Sequence, residues 1–429
     1  MLQDDLPERD MKGFVLPELG RLQETGDPWA PYQLLDRSGV IVEPVRVFFA
    51  ELQAGNKPGS TVRSYGMDLL RWWRFLGAFD IAWNQATRAD ARDFTRWMKI
   101  ANKPQRLHWR HRKAGYTAET APKPKTTRKK IPGTPNVITG KASPGPQYAA
   151  RTRAHCETVL RTFYDFHLDE GTGPIINPFP LDRSRRSGRV NAHHRPDQPF
   201  RREQTGRYRP TIPQRTPRRI PDEMFNALFA ALRHHRDRAL LAFWVSNGAR
   251  AEELLTSRQR DALPGQQLLG VIRKGTRAYQ QLPCSTDAFV WLRLYQEELR
   301  RDGVPAGRDL PLWWTLRRPW RALNYDAARA MFNRANDLLG SNWSLHDLRH
   351  TASYRLARDP SMPLTDVQWV LGHAHLTTTQ LYLPASQDEV IERVLVHHAR
   401  QAQQRQRPPA PLAPGYNPDS LKTLFGNSW

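Results

Sequence analysis

The stretch Ser344-Leu345-His346-Asp347-Leu348-Arg349-His350-Thr351 predicts a helix start that is suited to binding an anion. Ser344 and Asp347, three residues apart, have the form of a capping box, in which each side chain accepts a hydrogen bond from the other residue's backbone N–H. His346 then falls in the first helical turn, and Arg349 lies three residues on, on the same face. The positive charge of Arg349 adds to the positive end of the helix dipole, so this face is a candidate anion site.

The residues that follow supply a second histidine and a tyrosine. We expect another helix with Thr365 as its N-cap, and Gly372 should end it in a left-handed turn. His373 would then point out of that turn. A short helical segment that opens at Thr377 should carry Tyr382.

A zinc site is the rival interpretation of this stretch. His346 and His350 are four residues apart beside a carboxylate, as in zinc hydrolases, and His373 or His375 could supply a third ligand. Against it, the capping box already occupies Asp347, and the neighbouring arginine would hold a positive charge beside the ion. We therefore predict no metal.

Two stretches further upstream carry more charged groups. A helical stripe should end at Asn247-Gly248, and the next residues are Ala249-Arg250-Ala251-Glu252-Glu253. A β-hairpin is predicted from residues 268–272 and 279–282, and the turn between the two strands holds Arg273-Lys274-Gly275.

Taken together, these residues resemble the tyrosine recombinase (phage-type integrase) family in order and spacing. The match covers residues 221–384 and includes His346-x-x-Arg349, Leu371-Gly372-His373 and Tyr382. The resemblance implies that Tyr382 attacks a scissile DNA phosphate, giving a 3′-phosphotyrosyl bond and a free 5′-hydroxyl. A phenol with a pKa of about 10 needs a cationic site and a proton acceptor to act as a nucleophile.

The same resemblance implies the roles of the other site residues. Arg250 and Arg349 would clamp the non-bridging phosphate oxygens, which their planar, permanently charged forks suit. His346 and His373 would complete the pocket. Lys274 would protonate the departing 5′-oxygen. Glu253 would orient a basic residue, although the doubled acid Glu252-Glu253 leaves open which glutamate acts, and Arg273 or Arg277 could replace the lysine. No cofactor is expected, because a phosphotyrosine diester conserves the energy of the broken strand.

Composition indicates a polyanionic partner. The chain has 429 residues, with 65 Lys and Arg against 42 Asp and Glu, for a net charge of +23. Two basic segments, residues 103–141 and 183–219, lack an apolar period and are either solvated linkers or phosphate-binding segments; we favour the second interpretation. The DNA-binding candidates are Lys103, Arg106, Arg110, Arg112, Lys113, Lys123, Lys125, Arg128, Lys129, Lys130, Arg183, Arg185, Arg186, Arg189, Arg201 and Arg202.

The expected fold class is mainly α, with four divisions along the chain. Residues 1–44 form an N-terminal extension, and residues 45–180 a helical core-binding (SAM-like) domain with a basic insertion at 102–148. Residues 181–219 form a basic linker. Residues 220–429 form a mostly helical catalytic domain with a small hairpin and a tail, 387–429, that packs either on its own domain or on a neighbouring protomer.

The predicted function is site-specific recombination of double-stranded DNA for integration, excision or transposition of a mobile element. The resemblance implies a homo-tetramer on DNA, joined by exchange of C-terminal tails, with accessory DNA-bending or directionality proteins as possible partners. We expect a cytoplasmic, nucleoid-associated protein with no membrane partner. The alternatives are a type IB topoisomerase-like enzyme that relaxes DNA, and a non-catalytic DNA-binding regulator with the same fold.

Overall fold

The computed structural model divides the chain into two compact units, residues 1–214 and 215–429. The structure describes residues 9–104, 133–182, 205–212, 218–380, 391, 394–400, 419 and 422–423. Within these ranges, no helix is long and apolar enough to cross a membrane.

The first unit is built from four helices: α1 (Glu43–Ala54), α2 (Gly59–Ala78), α3 (Arg88–Ile100) and α4 (Ala150–Asp169). Their apolar stripes point inward: the side chains at i, i+3, i+4 and i+7 of α1, Val45, Phe48, Phe49 and Leu52, are all buried. Trp72 of α2 is fully buried and donates from Nε1 to the Tyr164 hydroxyl at 2.8 Å. The aromatic residues of α2 and α4 therefore form a core, as their helical spacing predicts.

The segment before α1 is part of this core, which differs from the expected separate extension. It contains an antiparallel pair of strands, β1 (Arg21–Glu24) and β2 (Tyr32–Leu35). Met11 and Leu34 are buried in the first unit's core. Phe14 stacks on Phe79 with 5.1 Å between ring centroids. The apolar residues of this segment are too sparse to show a period, so only their long-range contacts reveal their place.

Part of the expected basic linker also packs on the first unit. The Arg207 backbone N–H donates to the Pro180 carbonyl at 2.9 Å, and Tyr208 packs against the core. A Cβ on Gly206 would meet the Glu157 carboxylate at 1.6 Å, so the chain passes directly over the buried Glu157–Arg161 ion pair. Residues 205–212 are therefore a packed segment and not a free linker.

The second unit begins with α5 (Asp222–Ala231), α6 (His235–Asn247) and α7 (Ala251–Leu255). Pro221 is the N-cap of α5. The sheet that follows has three antiparallel strands and not two: β3 (Ala262–Leu263), β4 (Leu268–Ile272) and β5 (Tyr279–Pro283). The two-residue strand β3 is too short to show an alternating pattern.

The remaining helices are α8 (Thr286–Asp302), α9 (Tyr325–Leu339), α10 (Leu345–Arg358), α11 (Leu364–Leu371) and α12 (Leu376–Gln380). The capping box of α10 forms as predicted between Ser344 and Asp347. Thr365 is not the N-cap of α11, because Pro363 takes that position. Beyond α12, residues 394–400 are helical, and Val394, Leu395 and Val396 are exposed.

Candidate active site

Arg250 is placed by the end of one helix and the start of the next. Gly248 ends α6 in the left-handed region, with φ of +62°, and the chain turns directly into α7. The Arg250 backbone N–H donates to Glu253 Oε2 at 3.0 Å, and its Nη1 donates to Glu253 Oε1 at 2.9 Å. The guanidinium is about one-third exposed, at 34%. Glu253 therefore fixes both the backbone and the guanidinium of Arg250, and the guanidinium remains accessible from solvent.

The Glu253 carboxylate is the centre of the site. Besides the two bonds from Arg250, it accepts one from Arg273 Nη1 at 3.0 Å and one from the Lys274 backbone N–H at 3.1 Å. Burial raises the pKa of Glu253, but hydrogen bonds from the Arg250 and Lys274 backbones and from the Arg250 guanidinium outweigh burial, so the net shift is downward. Of the doubled acid, Glu253 is the residue that gathers the basic groups.

Lys274 lies on the turn between β4 and β5, as expected. Its Nζ pairs with Glu252 at 2.9 Å, and both side chains are more than half exposed. Because exposed pairs contribute only about 0–1 kcal/mol, this contact does not fix the ammonium in place. Arg277, in the same turn, takes a positive φ of 59°.

Arg349 lies in α10 and is 3% exposed. Its Nη1 donates to the Gly248 carbonyl at 2.6 Å and its Nη2 to the Leu371 carbonyl at 2.7 Å. Helix C-termini leave carbonyls without helical partners, and a buried cation satisfies them. Arg349 therefore joins the ends of α6 and α11, the two helices that precede Arg250 and His373.

The two predicted histidines have different surroundings. His346 is exposed and makes an edge-to-face ring contact with His350, with centroids 4.3 Å apart. His373 is half-buried, with its Nδ1 2.9 Å from Thr379 Oγ1. Burial, followed by the charges of Arg349, Arg250, Arg273 and His350, lowers the pKa of His373 to about 4. His373 is therefore neutral at pH 7 in the DNA-free chain.

The structure thus brings Arg250, Glu253, Lys274, Arg349 and His373 into one connected region, with His346 at its edge beside His350. Tyr382 lies outside the described residues. Among the residues that the structure does describe, no three His, Cys, Asp or Glu side chains come together as a metal site.

Arg273 is the residue of this site whose role was not predicted. In the sequence, only its position next to Lys274 pointed to a role for Arg273. Its bonding partners are 7, 20 and 97 residues away along the chain.

Of the predicted DNA-binding residues, Lys103 is described, and its backbone N–H donates to the Pro146 carbonyl at 2.8 Å. The others lie outside the described residues: Arg106, Arg110, Arg112, Lys113, Lys123, Lys125, Arg128, Lys129, Lys130, Arg183, Arg185, Arg186, Arg189, Arg201 and Arg202. An unforeseen open groove in the first unit, between α2 and α4, is lined by charged residues, and Asp68 pairs there with Arg71 and His155. Arg63 and Arg151, both exposed, also line it.

Comparison with known proteins shows which family the second unit resembles. Residues 218–389 match the model of the phage integrase family. Tyrosine recombinase XerD of Xanthomonas campestris pv. campestris is 26% identical over 266 residues, which are 59% of this chain and 74% of that protein. XerD of Yersinia pestis is 26% identical over 204 residues, 44% of this chain and 65% of that protein. The structure of XerH site-specific recombinase bound to its difH substrate shares the fold, with a TM-score of 0.50, 15% identity and coverage of 83% of this chain and 85% of that chain.

Proposed function

Because residues 218–389 of this chain are a phage integrase family domain, we propose that the protein is a site-specific DNA recombinase that cleaves and rejoins strands through a covalent tyrosyl intermediate. The observation that carries the proposal is the set of basic groups gathered on one buried carboxylate. Arg250, Arg273 and the Lys274 backbone all donate to Glu253, and Arg349 holds the adjoining helix ends.

In the proposed reaction, Tyr382 attacks a backbone phosphate and the 5′-oxygen leaves. Arg250 and Arg349 would stabilise the negative charge of the pentacoordinate transition state. A His373 that is neutral at pH 7 can accept a proton from the phenol or donate a hydrogen bond to a phosphate oxygen. Lys274 would give the leaving 5′-oxygen its proton, which balances the proton lost by the tyrosine.

Double-stranded DNA carrying a specific recombination site is the proposed partner. The net charge of +23 and the exposed Arg63 and Arg151 that line the groove of the first unit support phosphate binding. Assembly as a homo-tetramer through C-terminal tails is also proposed, since Val394, Leu395 and Val396 of the tail helix are exposed apolar residues. Accessory proteins, a mobile-element role and a cytoplasmic, nucleoid-associated location complete the proposal.

The test is formation of a covalent protein–DNA adduct. A library of nicked duplexes with randomised sequence is incubated with the full chain, and adducts recovered under denaturing conditions are sequenced to find the preferred site. We expect an adduct from the wild type and none from Tyr382→Phe, because phenylalanine has no nucleophile.

Tyr325→Phe is the matched control, since Tyr325 is an exposed tyrosine at the start of α9. It should form the adduct at the wild-type rate. An adduct with Tyr382→Phe, or none with the wild type, would contradict the proposal. Adducts without sequence preference, together with relaxation of any supercoiled plasmid, would indicate the topoisomerase alternative instead.

A further inference from the structure

Arg273, the last residue before the Lys274 turn, is almost fully buried, at 4% exposure. Its guanidinium contacts three separate elements. Nη1 donates to Glu253 Oε2 of α7 at 3.0 Å, and Nε donates to Gln280 Oε1 of β5 at 2.6 Å. Nη2 donates to the Val370 carbonyl at the end of α11. A single side chain therefore joins α7, the hairpin and the helix that precedes His373.

The end of α11 fits closely around this guanidinium. A Cβ added to Gly372 would lie 3.0 Å from Arg273 Nε, and Gly372 has a φ of +62°. Gln280, itself bonded to Arg273, donates from Nε2 to the Trp369 carbonyl at 3.1 Å. Arg273 and Gln280 together satisfy carbonyls that the end of a helix leaves unpaired. This packing fixes the base of the hairpin against α11.

The neighbouring lysine depends on that base for its position. The Lys274 backbone N–H bonds to the Glu253 carboxylate, whose other oxygen holds Arg273. The Lys274 ammonium, by contrast, pairs with Glu252, and both side chains are more than half exposed, so water and salt screen this contact. The hairpin is thus fixed at Arg273 by buried hydrogen bonds, whereas the Lys274 ammonium is held by an exposed ion pair.

We propose that Arg273 is a positioning residue for Lys274: by clamping the hairpin base between α7 and α11, it sets where the lysine meets the leaving 5′-oxygen. The inference rests on the proposed function. It replaces the expectation that Arg273 could substitute for the lysine, because Nε, Nη1 and Nη2 of Arg273 each donate to a protein acceptor, whereas the Lys274 side chain on the turn is more than half exposed.

The first measurement compares Arg273→Gln with the wild type in single-turnover adduct formation on the selected nicked duplex. We expect cleavage to slow by about 100-fold, the effect of misplacing a catalytic group by about 1 Å. DNA affinity should change by less than about two-fold, since Arg273 is buried.

Arg236→Gln is the matched control. Arg236 is also a 4%-exposed arginine, paired with the Asp237 carboxylate and bonded to the Trp314 carbonyl, and these partners are not candidate site residues. It should lose comparable stability in urea unfolding, yet cleave at close to the wild-type rate below its unfolding temperature. Equal cleavage defects in the two variants would assign Arg273 to stability alone and overturn the inference.

The second measurement uses a duplex whose scissile phosphate has sulfur in place of the bridging 5′-oxygen. The leaving 5′-thiol, with a pKa of about 8.5, departs as the anion and needs no proton donor. On this duplex we expect the Arg273→Gln defect to shrink at least about ten-fold, and the Lys274→Ala defect to shrink in parallel.

A defect of the same size on the oxygen and sulfur duplexes would overturn the positioning role and leave the proposed function intact. A wild-type chain that forms no adduct on either duplex would overturn the proposed function and this inference with it.

Discussion

His373 is the residue at which burial and neighbouring charge act together most clearly. Desolvation alone disfavours its protonated form, and Arg349, Arg250 and Arg273 add repulsion, so the pKa of the ring falls to about 4 from an ordinary value of 6.5. A phosphate anion bound among these cations would weaken the repulsion and raise that pKa. The DNA-free site is therefore a cluster of permanent cations around one neutral ring.

This lowered pKa predicts a pH dependence of stability. Between pH 6.5 and 4 the unfolded chain binds a proton at His373 that the folded chain does not, so stability rises with pH in this window. The contribution is fully present above pH 6.5 and is lost as the pH falls toward 4. Urea unfolding of the second unit at pH 7 and pH 5 should show a smaller pH effect in His373→Gln than in the wild type. His375→Gln, at an exposed neighbour, serves as the control and should keep the wild-type pH effect; an unchanged effect in His373→Gln would contradict the prediction.

Among the elements, the site depends on how two helices end. Gly248 ends α6 and Gly372 ends α11, both in the left-handed region. A Cβ at Gly248 would meet Leu371 Cδ2 at 2.7 Å, so the two helix ends are in direct contact, and Arg349 bonds to carbonyls of both. The close approach of the two helix ends thus brings Arg250 and His373, which follow them in the chain, near enough for the charge of Arg250 to act on the His373 ring.

Gly372→Ala should reduce cleavage more than its loss of stability explains. Its added Cβ would press on the Arg273 guanidinium, 3.0 Å from Nε, besides the left-handed strain of about 1–2 kcal/mol. Gly303→Ala is the matched control: Gly303 ends α8 with φ of +71° and has nothing within 4 Å of its added Cβ. Both variants should lose the stability that left-handed strain costs, but only Gly372→Ala should slow adduct formation, by about ten-fold or more. Equal cleavage rates in the two variants would argue against a tight fit around Arg273.

At the scale of the whole molecule, the positive charge is concentrated in particular segments of the chain. Residues 104–145 contain ten Lys and Arg and one acid, Glu119. The two ends of this insertion meet: Asn102 pairs with Gln147, and the Lys103 N–H donates to the Pro146 carbonyl. A short Gly-Ser linker can therefore replace the insertion without separating α3 from α4.

That replacement should flatten the salt dependence of DNA affinity. Each lost phosphate contact lowers the slope of log affinity against log salt by about 0.9. Affinity is measured by titration at several salt concentrations with a duplex carrying the selected site. A scrambled insertion of identical composition is the control and should keep most of the slope, because its charges remain. An unchanged slope in the linker variant would make the insertion a passive connection.

Sequence reasoning located most of the local structure. The helical character of residues 45–180, the end of α6 at Gly248, the capping box of α10 and the strands β4 and β5 are all in place. Each depends on neighbours within a few residues, through periodicity, a cap or a left-handed glycine. The prediction of Thr365 as the N-cap of α11 was wrong, because Pro363, two residues earlier, already sets the start of the helix.

By itself, the sequence determined the helical class, the basic character of the chain and the order of Arg250, Lys274, His346, Arg349, His373 and Tyr382. Only the tertiary structure decided that the N-terminal strands complete the first core, that Glu253 rather than Glu252 gathers the basic groups, and that Arg273 bridges three elements. The physical reason is range. Burial of a charged side chain depends on distant partners, 97 residues away along the chain for Arg273 and Val370 and 101 for Arg349 and Gly248, and no local pattern of apolar and polar residues encodes such contacts.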